Sequence, residues 1–234
     1  NMTGGSFDLN PDGDKFVNGT ITYNVEQWEP RFTRSNNYYE IKQVNPLRIS
    51  GIPTGDVVNE WDLALTDSLP LNLTIEGGAS ENHFDFTGLP LTQLKITQGA
   101  SETNLRFDAL NPQVLETFSF TTGASSAELY GLGYANFNQM DFSAGAGDYT
   151  LDFTGALLHD ATVNVKATIS NITIMIPTGT RAVVINEGTI SNINTRGVWL
   201  LNDETYATLD EGHTLTIHLD MAVGNVTLIQ GSQE

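Results

Sequence analysis

The chain has 234 residues, no cysteine, and a formal charge of −18 from 28 acidic against 10 basic side chains. That length fits one large domain, and the charge excludes a phosphate-neutralising nucleic-acid surface or an attraction to anionic lipid. Disulfides, thiolate zinc sites and cysteine nucleophiles are excluded too, and no apolar run reaches the ~18 residues of a membrane-spanning helix.

In chain order, "GSFDLN" at residues 5–10 alternates and reads as a first edge rung of a sheet. "FVNGTITYNVEQWEP" and "RFTRSNNYYEIKQV" read as strands, the second turning at "SNN". "NEWDLALTDSLPLNL" alternates Trp61, Leu63 and Leu65 and leads into a repeat. A leader or anchor removed ahead of Asn1 is expected, because the chain opens on Asn rather than Met and no signal peptide is visible.

The repeat is the strongest signal. Units begin at Leu73, Leu94, Phe118, Met140, Val163, Val183 and Ile217, spaced by 21, 24, 22, 23, 20 and 34 residues. Two residues on come Ile75, Ile96, Phe120, Phe142, Val165, Ile185 and Leu219. Apolar residues separated by one position mark strands with one buried face. Five residues from each start sits a small residue: Gly78, Gly99, Gly123, Gly145, Thr168, Gly188 and Ala222. An apolar residue returns six further on, except at Asn194, where Ile190 and Ile193 stand out of register and a bulge or shifted turn is expected.

Each unit therefore reads as strand, tight small-residue turn, strand and a second turn such as "TGLPLT", "DALNPQ" or "LGYANF". A unit of about 22 residues cannot bury its apolar face alone, and stacking at about 4.8 Å per rung buries all of them together. The predicted fold is all-β: a single-stranded, right-handed parallel β-solenoid of about seven to nine rungs. Residues 1–65 are expected to form an N-terminal β cap and extension, and residues 66–234 the solenoid. A hairpin insertion around "NDE" is expected at about 197–213, covering the far end of the column.

Gly78, Gly99, Gly123, Gly145 and Gly188 are assigned to the bend, where a side chain would clash or φ must be positive. On this reading "GAGDYTLDF" is one rung, not a calcium turn, because the calcium-binding nonapeptide needs tandem copies. Asp148, aligned with Glu81, Glu102 and Ser126, is expected to face water. Sequons occur at Asn1, Asn18, Asn72, Asn171 and Asn225, as chance allows in a chain rich in Asn and Thr.

The stretches "YNVEQWEP", "NEWDLALTDSLPLNL", "DFTGLPLTQLKITQGAS", "LYGLGYANFNQMDFSAGAGDYTLDFTGALLHDATVNV" and "VWLLNDETY" carry a resemblance over nearly the whole chain. The sequence resembles the bacterial toastrack-type, adhesin-like β-helix domains with their N-terminal extension. These are related to the C-terminal domain of cell-wall-active-antibiotic response proteins. The resemblance implies an extracellular or cell-envelope location and brings no catalytic residues.

His83 and His218 fall at outward strand positions, His159 and His213 in turns, and no nucleophile elbow or helical zinc motif is present. Asp85, Arg106 and Asp152 occupy equivalent places in their units, which reads as an ordinary surface ladder. Tyr130, Tyr134 and Tyr149 lie close together in the repeat and are the candidate ligand-binding face, with a sugar ring in view. The resulting expectation is a non-enzymatic adhesin-like or scaffold module without a cofactor. Cell-wall glycan or an envelope protein is the expected partner, and the solenoid ends offer a route to homo-oligomers. Two alternatives stand: a carbohydrate-active β-helix enzyme with paired carboxylates, and a scaffold stabilised by Ca²⁺.

Overall fold

The computed structural model describes residues 1–43 and 57–231. It is all-β, with two short 3₁₀ turns among the described residues, Glu26–Trp28 and Leu132–Ala135. The strands, in chain order, are β1 (Met2–Asn10), β2 (Val17–Tyr23), β3 (Pro30–Ser35), β4 (Tyr38–Gln43), β5 (Asn59–Leu65) and β6 (Leu71–Asp85). There follow β7 (Leu91–Gln98), β8 (Ser101–Arg106), β9 (Thr117–Tyr130), β10 (Gln139–Asp152) and β11 (Ala161–Ile176). The last are β12 (Arg181–Asn186), β13 (Asn192–Arg196), β14 (Leu200–Asn202), β15 (Thr205–Ala207) and β16 (Thr214–Gln230).

The alternation read from the sequence places like residues on like residues. Along parallel strands, Leu94 pairs with Phe118, Phe118 with Met140, Met140 with Val163 and Val163 with Ile217. The next inward row is Ile96, Phe120, Phe142, Val165 and Leu219, and every member of both rows is buried. Phe120 and Phe142 stack with ring centroids 5.6 Å apart. Each such side chain contributes about 1.5–3 kcal/mol by leaving water, so this continuous column is the main source of stability.

The small-residue positions also superpose. The amide of Gly99 donates to the carbonyl of Gly78 at 3.1 Å, and that of Gly123 to Gly99 at 3.0 Å. A Cβ on Gly145 would stand 2.8 Å from the carbonyl of Gly123, so close backbone approach, not a positive φ, is what these positions require. The positive φ falls two residues later, at Gly147 (150°), where a Cβ would overlap the carbonyl of Ser125. The expected tight turn between two strands is instead a bend inside one strand: β6, β9, β10, β11 and β16 each run through it unbroken.

Three further expectations are corrected. "GSFDLN" is not at an edge, because β1 lies between β5 and β6, parallel to both, and β2 is the edge strand. The order at the other end is not sequential either. β16 pairs with β11 along its length, and β12 and β13 stack outside β16. A 17-residue strand can satisfy all of the 16-residue β11, whereas β12 and β13 are short pieces of 6 and 5 residues. Finally, β12 is shifted by one residue. Val184, not Val183, pairs with Ile217, and Ala182 and Val184 are the buried residues. With a side-chain period of two, that slip exchanges the two faces.

Among the described residues the sheet has 14 strands, from β14 at one end to β2 at the other. The hairpin β14–β15, with Asp203 at positive φ in its turn, extends it beyond β12 through antiparallel pairing. A second hairpin, β3–β4, turns at Asn36 and forms its own two-stranded sheet. The buried side chain of Gln43 ties it to the column, donating to the carbonyl of Trp28 at 2.9 Å and to Asn59 Oδ1 at 2.6 Å.

One turn residue binds three levels together. Asn111 is fully buried; its Nδ2 donates to the carbonyls of Leu91 (2.8 Å) and Ala135 (3.2 Å). Its Oδ1 accepts from the amides of Leu91 and Gln113, each at 3.1 Å.

Candidate functional site

Beyond the bend, β6, β8, β9, β10, β11 and β16 present a second outward face. Register aligns Glu81, Glu102, Ser126, Asp148, Asn171 and Asn225 in one column. Two residues on, it aligns His83, Asn104, Glu128, Thr150, Thr173 and Thr227. Alternation turns these side chains outward and buries those between them. Together the columns from Glu81 to Thr173 line a shallow groove of about 290 Å³.

The groove is acidic at one end and neutral at the other. Glu81, Glu102, Glu128 and Asp148 supply carboxylates, and His83 Nδ1 lies 3.0 Å from Asp8. Toward β16 the carboxylates give way to amides and hydroxyls held in a chain. Asn225 Nδ2 donates to Asn171 Oδ1 at 2.9 Å, and Asn171 Nδ2 donates to Asp148 Oδ1 at 2.8 Å. Each amide thus has a fixed orientation and keeps unused valences for a ligand.

Asp85 and Arg106, expected on adjacent rungs, meet at 2.5 Å beside the groove. Partial burial pushes the Asp85 carboxyl up. Hydrogen bonds from Thr87 and Arg106, with the Arg106 charge, outweigh that and hold it below the usual carboxylate range. Asp152 is not part of this pair: Tyr130 follows Arg106 in register, and Asp152 accepts from the Thr154 amide at 2.8 Å.

The three candidate tyrosines do not form one face. Tyr130 is half-buried and donates to Glu128 at 2.9 Å. Desolvation, that hydrogen bond and the charges of Glu128 and Asp152 push its hydroxyl up to about 12. Tyr134 sits in the 3₁₀ turn before β10 and is half-buried. Tyr149 points into the core, edge-on to Phe142 at 5.3 Å, with its hydroxyl 3.1 Å from Ser125 Oγ and from the Ala146 carbonyl. It falls in the buried row of Ala127, Ile172 and Val226, and burial pushes its hydroxyl up as well.

The histidines are dispersed. His218 Nδ1 lies 2.7 Å from Glu187, His213 Nδ1 3.7 Å from Asp160, and His159 Nε2 3.1 Å from Asn136 Oδ1. Among the described residues, no group of three or more His, Cys, Asp or Glu is placed to hold a metal ion. No helix among them is long and apolar enough to cross a membrane. The asparagine chain is what the sequence reading missed. Its signal was visible: "NIT" at 171 and "NVT" at 225 fall at the same position of the repeat.

The described residues thus form an all-β chain: a largely parallel ladder, an N-terminal hairpin tied to it through Gln43, and a linear polar groove. Residues 1–114 match the family described as the N-terminal domain of toast_rack, DUF2154. Among solved structures it is similar to a "putative cell adhesion protein" from Clostridium sporogenes ATCC 15579. The match has a TM-score of 0.51 and 16% identity, covering 98% of this chain and 90% of that one. At that identity the likeness concerns the fold. Among curated proteins nothing matches this sequence.

Proposed function

We propose that this chain is a non-enzymatic, adhesin-like binding module acting in the cell envelope or outside the cell. Its parallel ladder is a right-handed β-solenoid whose groove grips a linear glycan. The carrying observation is the hydrogen-bonded chain Asp148–Asn171–Asn225. It presents polar groups of fixed orientation at a repeat of about 4.8 Å, running from Asp148 and Asn171 in the groove to Asn225 on the next strand. Extended polysaccharides expose hydroxyls and amides in a comparable periodic row, and polar groups already ordered lose little entropy on binding. The toastrack family match and the likeness to the Clostridium sporogenes protein support an adhesive role.

Co-sedimentation of the purified protein with bacterial cell-wall sacculi, with Ca²⁺ and with EDTA, tests this. The reading expects binding in both conditions and weaker binding by Asp148→Ala and Asn171→Ala. Absence of binding in both conditions overturns the glycan assignment. Release of reducing ends from the same sacculi overturns the non-enzymatic one. A melting temperature that falls in EDTA would instead favour the Ca²⁺-stabilised scaffold.

A further inference from the structure

The two hairpins lie at opposite ends of the sheet and differ in sign. β14–β15 terminates the sheet on one side, with β14 pairing among the described residues only with β15. Among the described residues β2 terminates it on the other, and β3–β4 stands beside β2 across a groove of about 570 Å³. Residues 197–213 carry Asp203, Glu204, Asp210 and Glu211 and no Lys or Arg. Residues 30–43 carry Arg31, Arg34 and Lys42 against Glu40 alone. In a chain of 28 acids and 10 bases, that hairpin is a positive island.

Both ends also expose apolar side chains. At the β14–β15 end these are Val198, Leu200, Leu201 (61% exposed) and Leu209. At the other, Phe32 is 70% exposed and Tyr38 is exposed, while Val17, Ile21, Tyr39 and Leu63 wall the groove. Arg34 lies over the Tyr39 ring, 5.1 Å from its centre, at the mouth of that groove. Unpaired edge strands with apolar side chains are sites of strand addition unless blunted. Here neither hairpin is blunted against the opposite one, because their charges attract.

We propose that the occupant of each end is a second copy of this chain. The acidic β14–β15 hairpin of one copy docks on the basic β3–β4 hairpin and the groove of the next. The two surfaces differ, so the contact is heterologous. It adds copies head to tail and does not close as a dimer. The net charge of −18 opposes any approach of copies, so a complementary pair of ends selects this one geometry over all others. The inference is independent of the glycan groove, which lies on the flank of the column.

The test is sedimentation velocity at about 0.15 M salt, where long-range repulsion is screened within ~8 Å. The expected result is a weight-average mass that climbs with protein concentration past that of a dimer. Arg31→Glu/Arg34→Glu and Glu204→Lys/Glu211→Lys should each return the mass to that of a monomer at the same concentration. An equimolar mixture of the two variants should recover one contact and give a heterodimer, because the unchanged acidic hairpin of the first variant meets the unchanged basic hairpin of the second; this recovery excludes misfolding. A wild-type chain that stays monomeric to millimolar concentration overturns the proposal, as does a dimer that grows no further. Assembly unchanged in both variants, or absent from their mixture, overturns it as well.

Discussion

Asn171 Nδ2 donates to Asp148 Oδ1 at 2.8 Å across neighbouring strands, and Asn171 Oδ1 accepts from Asn225 at 2.9 Å. All three side chains are exposed, so water replaces any lost partner at little cost. Asp148→Ala and Asn171→Ala should therefore change stability by no more than about 0.5 kcal/mol, while sacculus binding falls at least about fivefold, near 1 kcal/mol. Thermal melts beside binding isotherms separate the two effects. Wild-type binding by both variants would remove the groove from consideration.

Asn111 makes the opposite case, because it is fully buried and its bonds go to the backbone at three successive levels. Asn111→Ala leaves those groups short of a partner away from water, at roughly 1–3 kcal/mol for each one left unsatisfied. The expected loss is about 3 kcal/mol, a fall in Tm of roughly 6–12 °C for a chain of this size. A melt within 2 °C of wild type would show that the surrounding turns relax to replace the amide.

The Asp85–Arg106 pair supplies a pH signature. The Asp85 carboxyl is held below its ordinary value when folded. Its contribution is therefore present above the unfolded pKa of ~3.9 and is lost as pH falls through the lower folded value. Arg106 is about half exposed (52%), so screening limits the pair to under about 1 kcal/mol. In urea titrations, Asp85→Asn should be less stable than wild type at pH 7, with the gap closing below about pH 3. A gap constant across that range would assign the loss to packing.

Much of the ladder was legible because one physical requirement recurs in every unit. Phe118, Met140 and Val163 differ in shape, yet each stands where a parallel neighbour buries it. The glycine column was legible for the same reason, since stacked carbonyls exclude a Cβ at each level. Strand order was not. Alternation dictates which face of β16 is buried, but it is equally satisfied beside β11 or outside β13, and only the lengths of the pieces decide. Tyr149 was grouped with Tyr130 and Tyr134 because the three lie close together in the repeat, although its row of Ala127, Ile172 and Val226 is apolar. Asn82, buried in that row, bonds Thr103 at 3.1 Å, so a polar residue there turns inward when an internal partner is in reach.

The register of β12 is the sharpest test of this architecture, since sequence periodicity alone favours Val183 and Ile185 as the inward pair. In the structure Ala182 and Val184 are fully buried, Val184 pairs with Ile217, and Val183 is only half-buried. Removing two methyl groups from Val184 costs about 0.8 kcal/mol each in transfer, plus a cavity term. Val184→Ala should therefore lose about 2 kcal/mol, while Val183→Ala should lose about 0.5 kcal/mol or less. Chemical denaturation of the two variants side by side decides the matter. If Val183→Ala is the costly substitution, β12 lies one residue away from the register described, and its inward and outward faces are exchanged.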